Sequence, residues 1–195
     1  MNLPPLILVR HGEVAARWKG ICYGSTDVEL SPQGEQQSET LAARLATEPV
    51  RRIVHSGLGR SALLAERLAD LSGIACEVAP ALRERDFGIW EGRSWDEIFR
   101  DHGDEMLRMI SEPDTYRPGG GETTAELRDR VLEWFARVPE DGLTVAITHG
   151  GPIAALVGTL GQLPIADWPR LIPGYAESVR VHELSLPRPP VISHA

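Results

Sequence analysis

Cysteine, long hydrophobic runs and excess positive charge are all scarce in this chain. Only two of its 195 residues are cysteines, Cys22 and Cys76, which are too few and too far apart to indicate a disulfide framework or a zinc site. No apolar run approaches the roughly 20 residues of a membrane span, and no secretion signal pattern opens the sequence. The formal net charge of −8 argues against nucleic acid or an anionic membrane as the main partner. We therefore expect a cytoplasmic protein that binds neither.

What the chain does contain is a regular alternation of strand-like and helix-like segments. β-prone apolar runs occupy residues 6–10, 52–56, 75–78, 144–149 and 177–183. Helical periodicity or capping signals mark residues 31–46, 61–72, 127–138 and 153–160. This alternation is typical of an α/β fold with three α/β/α layers, in which helices cover both faces of a mostly parallel sheet.

The length of the chain predicts a single domain over residues 1–195. Within it, residues 86–122 are rich in Trp, Asp, Gly and Arg and show weak periodicity. They are expected to form short helices and loops that cover a site, not a second domain. Residues 187–195 are expected to form an edge strand or a loose end.

Two histidines, His11 and His149, each end a strand-like run and precede a glycine. In an open parallel sheet, ligands bind at the carboxyl ends of the strands, so both imidazoles are placed where a site is expected. Arg10 adds a planar fork of donors that suits phosphate oxygens, and a neutral imidazole can attack phosphorus. A lone histidine in a turn is more often structural, so the assignment depends on the residues around it.

Three further segments follow other predicted strands. Arg60 lies near a helix start, where amides and the helix dipole favour an anion, although a solvated surface charge is the simpler alternative. Residues 82–92 mix acids and bases with aromatics, so a carboxylate there can serve as a general acid or simply form a salt bridge. The glycine-rich turn 118–123 either supplies amides and a hydroxyl or acts as a linker.

Together these segments resemble one family, the histidine phosphatase superfamily of phosphoglycerate mutase-like proteins. The family pattern is R-H-G, G-x-x-D-x-x-L-[ST]-x-x-G, S-x-L-x-R, L-x-E-x-x-F-G-x-W-E-G, G-E-[ST] and a late H-G. The matching residues, in family order, are Arg10-His11-Gly12; Gly24, Asp27, Leu30, Ser31 and Gly34; Ser56, Leu58 and Arg60; residues 82–92; Gly121-Glu122-Thr123; and His149-Gly150. The matches span residues 6–160, and the resemblance implies a phosphoglycerate mutase-like α/β fold.

The resemblance also implies a mechanism. His11 would attack the phosphorus and become transiently phosphorylated. Arg10, Arg60 and His149 would hold the phosphoryl oxygens and stabilise the transition state, with His149 made cationic by the phosphate. Glu84 would protonate the leaving alcohol and then activate water. No metal or other cofactor is expected.

The departures from the family pattern concern the substrate. Val14 and Arg17 stand where many members have Thr and Asn, and Ile21 and Tyr23 stand where many have Arg and Gln. Arg17 either contacts the substrate or points to solvent, while Tyr23 and Gly150 are candidate substrate-binding residues.

The resemblance leaves three functions open. Residues 20–24 resemble the α-ribazole phosphatase-like branch, which acts in cobalamin assembly, so a phosphatase for a small phosphate ester such as α-ribazole 5′-phosphate is favoured. A mutase needs a closed site, which the short segment 84–122 argues against. The third is a protein phosphohistidine phosphatase. We expect a monomer or homodimer, with its tryptophans either forming a substrate wall or packing in the core.

Overall fold

A computed structural model describes residues 3–184 of the protein. Its strands are β1 (Leu6–Arg10), β2 (Val50–His55), β3 (Cys76–Val78), β4 (Leu143–Thr148) and β5 (Ser178–Arg180). They form one sheet in the order β3-β2-β4-β1-β5, in which β5 alone pairs antiparallel, with β1, at one edge. Since β1 and β4 are covered on both faces, their sequences are almost continuously apolar.

Helices cover the two faces of this sheet. Within residues 3–184 they are α1 (Pro32–Leu45), α2 (Gly59–Ser72), α3 (Trp95–His102), α4 (Arg108–Ser111), α5 (Thr124–Phe135) and α6 (Gly150–Leu160). Helices α1 and α2 pack against Ile7 and Val9 of β1, whereas α5 and α6 pack against Leu6 and Leu8. Alternate residues of β1 therefore face opposite layers, which confirms the predicted three-layer α/β/α arrangement.

Three helix ends form as their capping residues predict. The Ser31 hydroxyl accepts a hydrogen bond from the Gly34 amide at 2.9 Å at the start of α1. Thr123 and Glu126 form a capping box at the start of α5. Gly73, with a left-handed φ of 72°, ends α2.

Several boundaries differ from those predicted. The strand expected over 177–183 is shorter, because a 3-10 turn at Val181–Glu183 ends its pairing. Helix α6 begins at Gly150 instead of residue 153, since glycine and Pro152 are tolerated in a first turn, where amides have no partner within the helix. Helix α2 begins at residue 59, and α5 spans 124–135 instead of 127–138. The predicted tail element at 187–195 lies outside the described residues.

Residues 86–122, called the lid from here on, are as irregular as expected. They contain α3, α4 and three 3-10 turns at 88–90, 103–107 and 118–120. Trp90, Ile98 and Tyr116 pack with Cys22 in a small apolar cluster separate from the two faces of the sheet. Among the described residues, no helix is both long and apolar enough to span a bilayer.

Candidate active site

The two histidines lie side by side at the carboxyl edge of the sheet. Strands β1 and β4 are neighbours, and Arg10 pairs with Thr148, so the residues that follow each strand meet. The ring centroids of His11 and His149 are 5.0 Å apart, and the His11 amide donates to the Thr148 carbonyl at 3.1 Å. The two residues are only 2% and 0% exposed, so both imidazoles share a site with little water.

The surroundings of His11 keep its imidazole neutral. Burial lowers the pKa of His11 to about 3, and the positive charge of Arg60 acts in the same direction. His11 Nδ1 lies 2.7 Å from the Gly12 carbonyl oxygen, which can only accept, so the proton of the neutral ring is on Nδ1. Nε2 then carries the lone pair, as a nucleophile toward phosphorus requires.

Direct contact between main-chain segments holds the loop after His11 against the start of α1. A Cβ atom on Gly12 would lie 2.3 Å from the Gly34 carbonyl oxygen, and one on Gly34 would lie 2.0 Å from the Glu13 carbonyl oxygen. The Ser31 amide also donates to the Glu13 carbonyl at 2.9 Å. Only glycine fits at positions 12 and 34, which explains two of the glycines in the motifs.

A chain of hydrogen bonds sets the tautomer of His149. Arg60 Nε donates to His149 Nδ1 at 3.3 Å, so the ring proton is on Nε2, which donates to Ser56 Oγ at 2.8 Å. The other Arg60 nitrogens donate to the carbonyls of Gly24 and Thr26, both at 2.7 Å. Burial, helped by neighbouring positive charges, lowers the pKa of His149 well below its usual value, so the ring is neutral until an anion binds.

Arg10 keeps an unused donor inside the protein. Its Nη1 donates to the Pro173 carbonyl at 2.8 Å, and its guanidinium carbon lies 4.2 Å from the centroid of the Tyr175 ring. Its Nε is buried and has no hydrogen-bond partner among residues 3–184. Because buried donors are seldom left unpaired, this atom is available to donate to a bound anion.

Glu84 is fixed at both of its carboxylate oxygens. Oε1 accepts from the Arg85 amide at 2.9 Å, and Oε2 accepts from the Gly151 amide in the first turn of α6 at 3.2 Å. Arg130 donates to the Glu84 carbonyl at 3.2 Å and pairs with both oxygens of Glu122 at 2.6 and 2.9 Å. Glu122, which belongs to the glycine-rich turn, therefore supports Glu84 through Arg130, a role that the turn's composition does not reveal.

Of the remaining predicted substrate-binding residues, the structure places Tyr23 at the site but not Arg17. The Arg60 guanidinium carbon lies 5.2 Å from the centroid of the Tyr23 ring, and Tyr23 lines the cavity described below. Arg17 is not brought to the site, because its side chain is 70% exposed and forms an ion pair with Glu29 at 2.7 Å. Gly150 is buried as the first residue of α6.

Tyr175 is a site residue that no sequence motif marks. Its hydroxyl lies 3.3 Å from the Tyr23 hydroxyl, and its ring centroid is 5.7 Å from that of His11. The two tyrosines, called the tyrosine bridge below, each cover one of the site's arginines. Tyr175 reaches the carboxyl edge because it precedes β5, which runs antiparallel to β1. A prediction that β5 pairs antiparallel with β1 would have placed Tyr175 at the site.

A cavity of about 930 Å³ lies next to these residues. Arg10, Tyr23, Glu84 and Tyr175 line its polar end, while the two histidines and Arg60 are buried behind the tyrosine bridge. Among residues 3–184, no group of three or more His, Cys, Asp or Glu side chains is placed to hold a metal ion.

A neutral buried histidine among arginines, with a carboxylate on the adjoining cavity wall, defines a site for phosphoryl transfer. The chain belongs to the histidine phosphatase superfamily, whose branch 1 model matches residues 6–185. This match confirms the family that the motifs resemble and the expected class of enzyme, a phosphoric monoester hydrolase.

Sequence similarity to named relatives extends over most of the chain. Glucosyl-3-phosphoglycerate phosphatase of Mycobacterium tuberculosis is 33% identical over 182 residues, which cover 88% of this chain and 81% of that protein. A probable phosphoglycerate mutase, GpmB, of an Enterobacter species is 32% identical over 160 residues, or 80% and 74% of the two chains. The solved structure of mycobacterial glucosyl-3-phosphoglycerate phosphatase superposes with a TM-score of 0.76 over 89% of this chain and 87% of that one.

Proposed function

We propose that the protein hydrolyses small phosphomonoesters through a phosphohistidine at His11. The observation that carries this proposal is the neutral, buried His11 ring, which lies beside the His149 imidazole. The charges of Arg10 and Arg60 act on this ring, and Arg10 Nε is a donor without a partner among residues 3–184. A phosphoryl group bound there would complete the hydrogen bonding of Arg10. Its negative charge would also favour the imidazolium form of His149, which takes its proton on Nδ1 once Arg60 Nε releases that atom.

Each step of the reaction balances with these groups. His11 Nε2 attacks phosphorus, the ester P–O bond breaks, and the leaving oxygen takes its electron pair and a proton from Glu84. Water then attacks the phosphohistidine, Glu84 accepts a proton from it, and the P–N bond breaks to restore neutral His11. Arg10, Arg60 and His149 stabilise the charge on the phosphoryl oxygens in both steps.

A relative supports the binding of a phosphoryl group by this fold. Mycobacterial glucosyl-3-phosphoglycerate phosphatase, 34% identical to this chain, has been solved in complexes with VO3 and with inorganic phosphate, each with a TM-score of 0.74. The shared fold favours the same kind of ligand here.

Hydrolysis is favoured over the two alternatives. A mutase must keep its product and exclude water, whereas the cavity of this protein is bordered by solvent-exposed side chains such as Leu107. A phosphohistidine on another protein would have to reach His11, which is only 2% exposed behind the tyrosine bridge. We place the activity in the cytoplasm, in a monomer or homodimer.

The test is phosphate release with excess chelator across a panel of phosphomonoesters. The panel contains α-ribazole 5′-phosphate, glucosyl-3-phosphoglycerate, 3-phosphoglycerate and p-nitrophenyl phosphate. We expect His11→Ala to lose turnover by a factor on the order of 10⁴ or more. A radiolabelled substrate should leave an acid-labile phosphoryl group on the wild type only.

His55→Gln is the matched control, because His55 is also a buried histidine at the end of a strand, β2, yet its Nδ1 accepts only from the Gly57 amide at 3.2 Å. This variant should keep the label. Turnover that survives in His11→Ala, with the fold intact, would overturn the mechanism.

A further inference from the structure

The cavity is much larger than a phosphoryl group needs. Its volume of about 930 Å³ lies within the range of roughly 300–1,000 Å³ that is typical of sites for drug-sized ligands. Arg10, Glu84 and the tyrosine bridge occupy one end only. The remaining volume, called the apolar chamber below, must therefore accommodate the group that carries the phosphate.

Apolar side chains form most of the chamber walls. The lid contributes Trp95, Leu107 and Ile110, and the segment that follows α6 contributes Trp168 and Ile172. Trp18 also lines the cavity, whereas Trp90 belongs to the small apolar cluster that the lid forms with Cys22. The tryptophans thus divide between wall and core, two roles that the sequence left open.

Several side chains of the chamber are exposed to solvent. Leu107, Ile110 and Ile172 are 58%, 37% and 39% exposed. Grouped exposed hydrophobics of this kind mark binding sites, because covering them removes apolar surface from water. Two cations also line the cavity, Lys19 and Arg85, and their aliphatic stems can pack against an apolar group.

The position of Glu84 fixes which end of the substrate faces the chamber. A general acid must contact the leaving oxygen, and Glu84 lies on the cavity wall, whereas His11, Arg60 and His149 are buried behind it. The leaving group therefore extends away from the histidines and into the chamber. A sugar there would place most of its hydroxyls against tryptophan and leucine and lose their hydration.

We infer that the substrate is a phosphomonoester with a large apolar leaving group, an alkyl or aryl alcohol that fills the chamber. This inference rests on the proposed phosphatase reaction. It also distinguishes the expected substrate of this chain from the glucosyl phosphoglycerate in the name of its mycobacterial relative.

A series of n-alkyl phosphates, from ethyl to octyl phosphate, tests this inference. The alcohols have nearly the same acidity, so the chemical step stays constant while the buried apolar area grows. We expect kcat/KM to rise about fourfold for each added methylene, as burial of that group predicts, until the chamber is filled. Glucosyl-3-phosphoglycerate should react more slowly than octyl phosphate.

Paired variants assign the effect to the chamber walls. The double variant Leu107→Ser and Ile110→Ser should flatten the rise with chain length, because it replaces two apolar walls with polar groups. Phe99→Ser is the control, since Phe99 is a lid residue that is 61% exposed but does not line the cavity. It should keep the wild-type slope, and equal melting temperatures would exclude loss of the lid.

The outcomes separate the two proposals. A rise with chain length that the double variant flattens supports the apolar substrate class. A flat series on which His11→Ala still abolishes turnover overturns that class and leaves the phosphatase in place. Absence of wild-type turnover on every ester, including p-nitrophenyl phosphate, overturns both.

Discussion

The phosphoryl end of the site and the apolar chamber beside it are built in opposite ways. The phosphoryl end lies at the ends of parallel strands, its histidines are buried, and hydrogen bonds to main-chain carbonyls fix its donors. The chamber is walled by the irregular lid and the 3-10 segment Ile165–Leu171, and several of its side chains remain exposed. The comparison indicates that the rigid scaffold determines the chemistry and the irregular segments select the leaving group.

The two regions also differ in how they should respond to pH. Burial among positive charges holds both histidines of the phosphoryl end neutral. Apart from Lys19 and Arg85, the chamber walls named above carry no titratable group. A change of pH should therefore alter the phosphoryl end and leave the preference for apolar leaving groups unchanged.

The largest effect is expected where the two regions meet, at Glu84. Glu84→Gln should slow hydrolysis of octyl phosphate by about 10²–10⁴-fold, because a poor leaving group needs the proton. Hydrolysis of p-nitrophenyl phosphate, whose leaving group needs little protonation, should slow far less. The measurement is kcat/KM for both esters, and equal slowing would show that Glu84 is not the general acid.

A smaller effect concerns stability in acid. The pKa of His11 falls from 6.5 to about 3 on folding, so between these values the unfolded chain binds a proton that the folded protein does not. The free energy of unfolding should therefore fall as the pH drops through this window, by up to about 1.4 kcal/mol per pH unit for His11. Urea unfolding at pH 4 to 7 measures this slope.

His11→Gln should reduce that slope, because the proton taken up by this histidine on unfolding is removed. His182→Gln is the control variant, because the His182 side chain is 29% exposed whereas His11 is buried. An unchanged slope in His11→Gln would mean that burial of this ring does not keep it neutral.

The smallest effect is expected at the tyrosine bridge, which lies on the boundary between the two regions. Its hydroxyls are 3.3 Å apart, and we propose that the phenols separate when a phosphate reaches the buried His11. Tyr175→Phe removes one hydroxyl but keeps the ring over Arg10, so kcat/KM should rise about two- to fivefold, the equivalent of one hydrogen bond. A large fall in kcat instead would place the Tyr175 hydroxyl on the phosphoryl group.

The same division explains what could be predicted from the sequence. His11, Arg10 and His149 belong to runs of apolar residues that end in glycine, so the periodicity of the strands and the sheet rule place them together. Arg60 and Glu84 follow neighbouring strands for the same reason. The core of the phosphoryl end is therefore encoded in local patterns.

The chamber and the tyrosine bridge could not be predicted in this way. Leu107 and Ile110 lie in a segment without periodicity, so their shared wall depends on how the lid folds around its own apolar cluster of Trp90 and Ile98. Tyr175 reaches the site only through the antiparallel pairing of β5. The direction of a single long side chain, as at Arg17, also depends on tertiary contacts.

The contact between Gly12 and Gly34 has a consequence for motion. Because the main chain after His11 touches the start of α1 directly, opening of that loop would break its packing on Gly34 and the hydrogen bond from the Ser31 amide to the Glu13 carbonyl. Local fluctuations that expose amides in most active-site loops should be suppressed here. In hydrogen–deuterium exchange, we expect the amides of the His11 loop to exchange together with the core of the sheet, while the lid exchanges much faster.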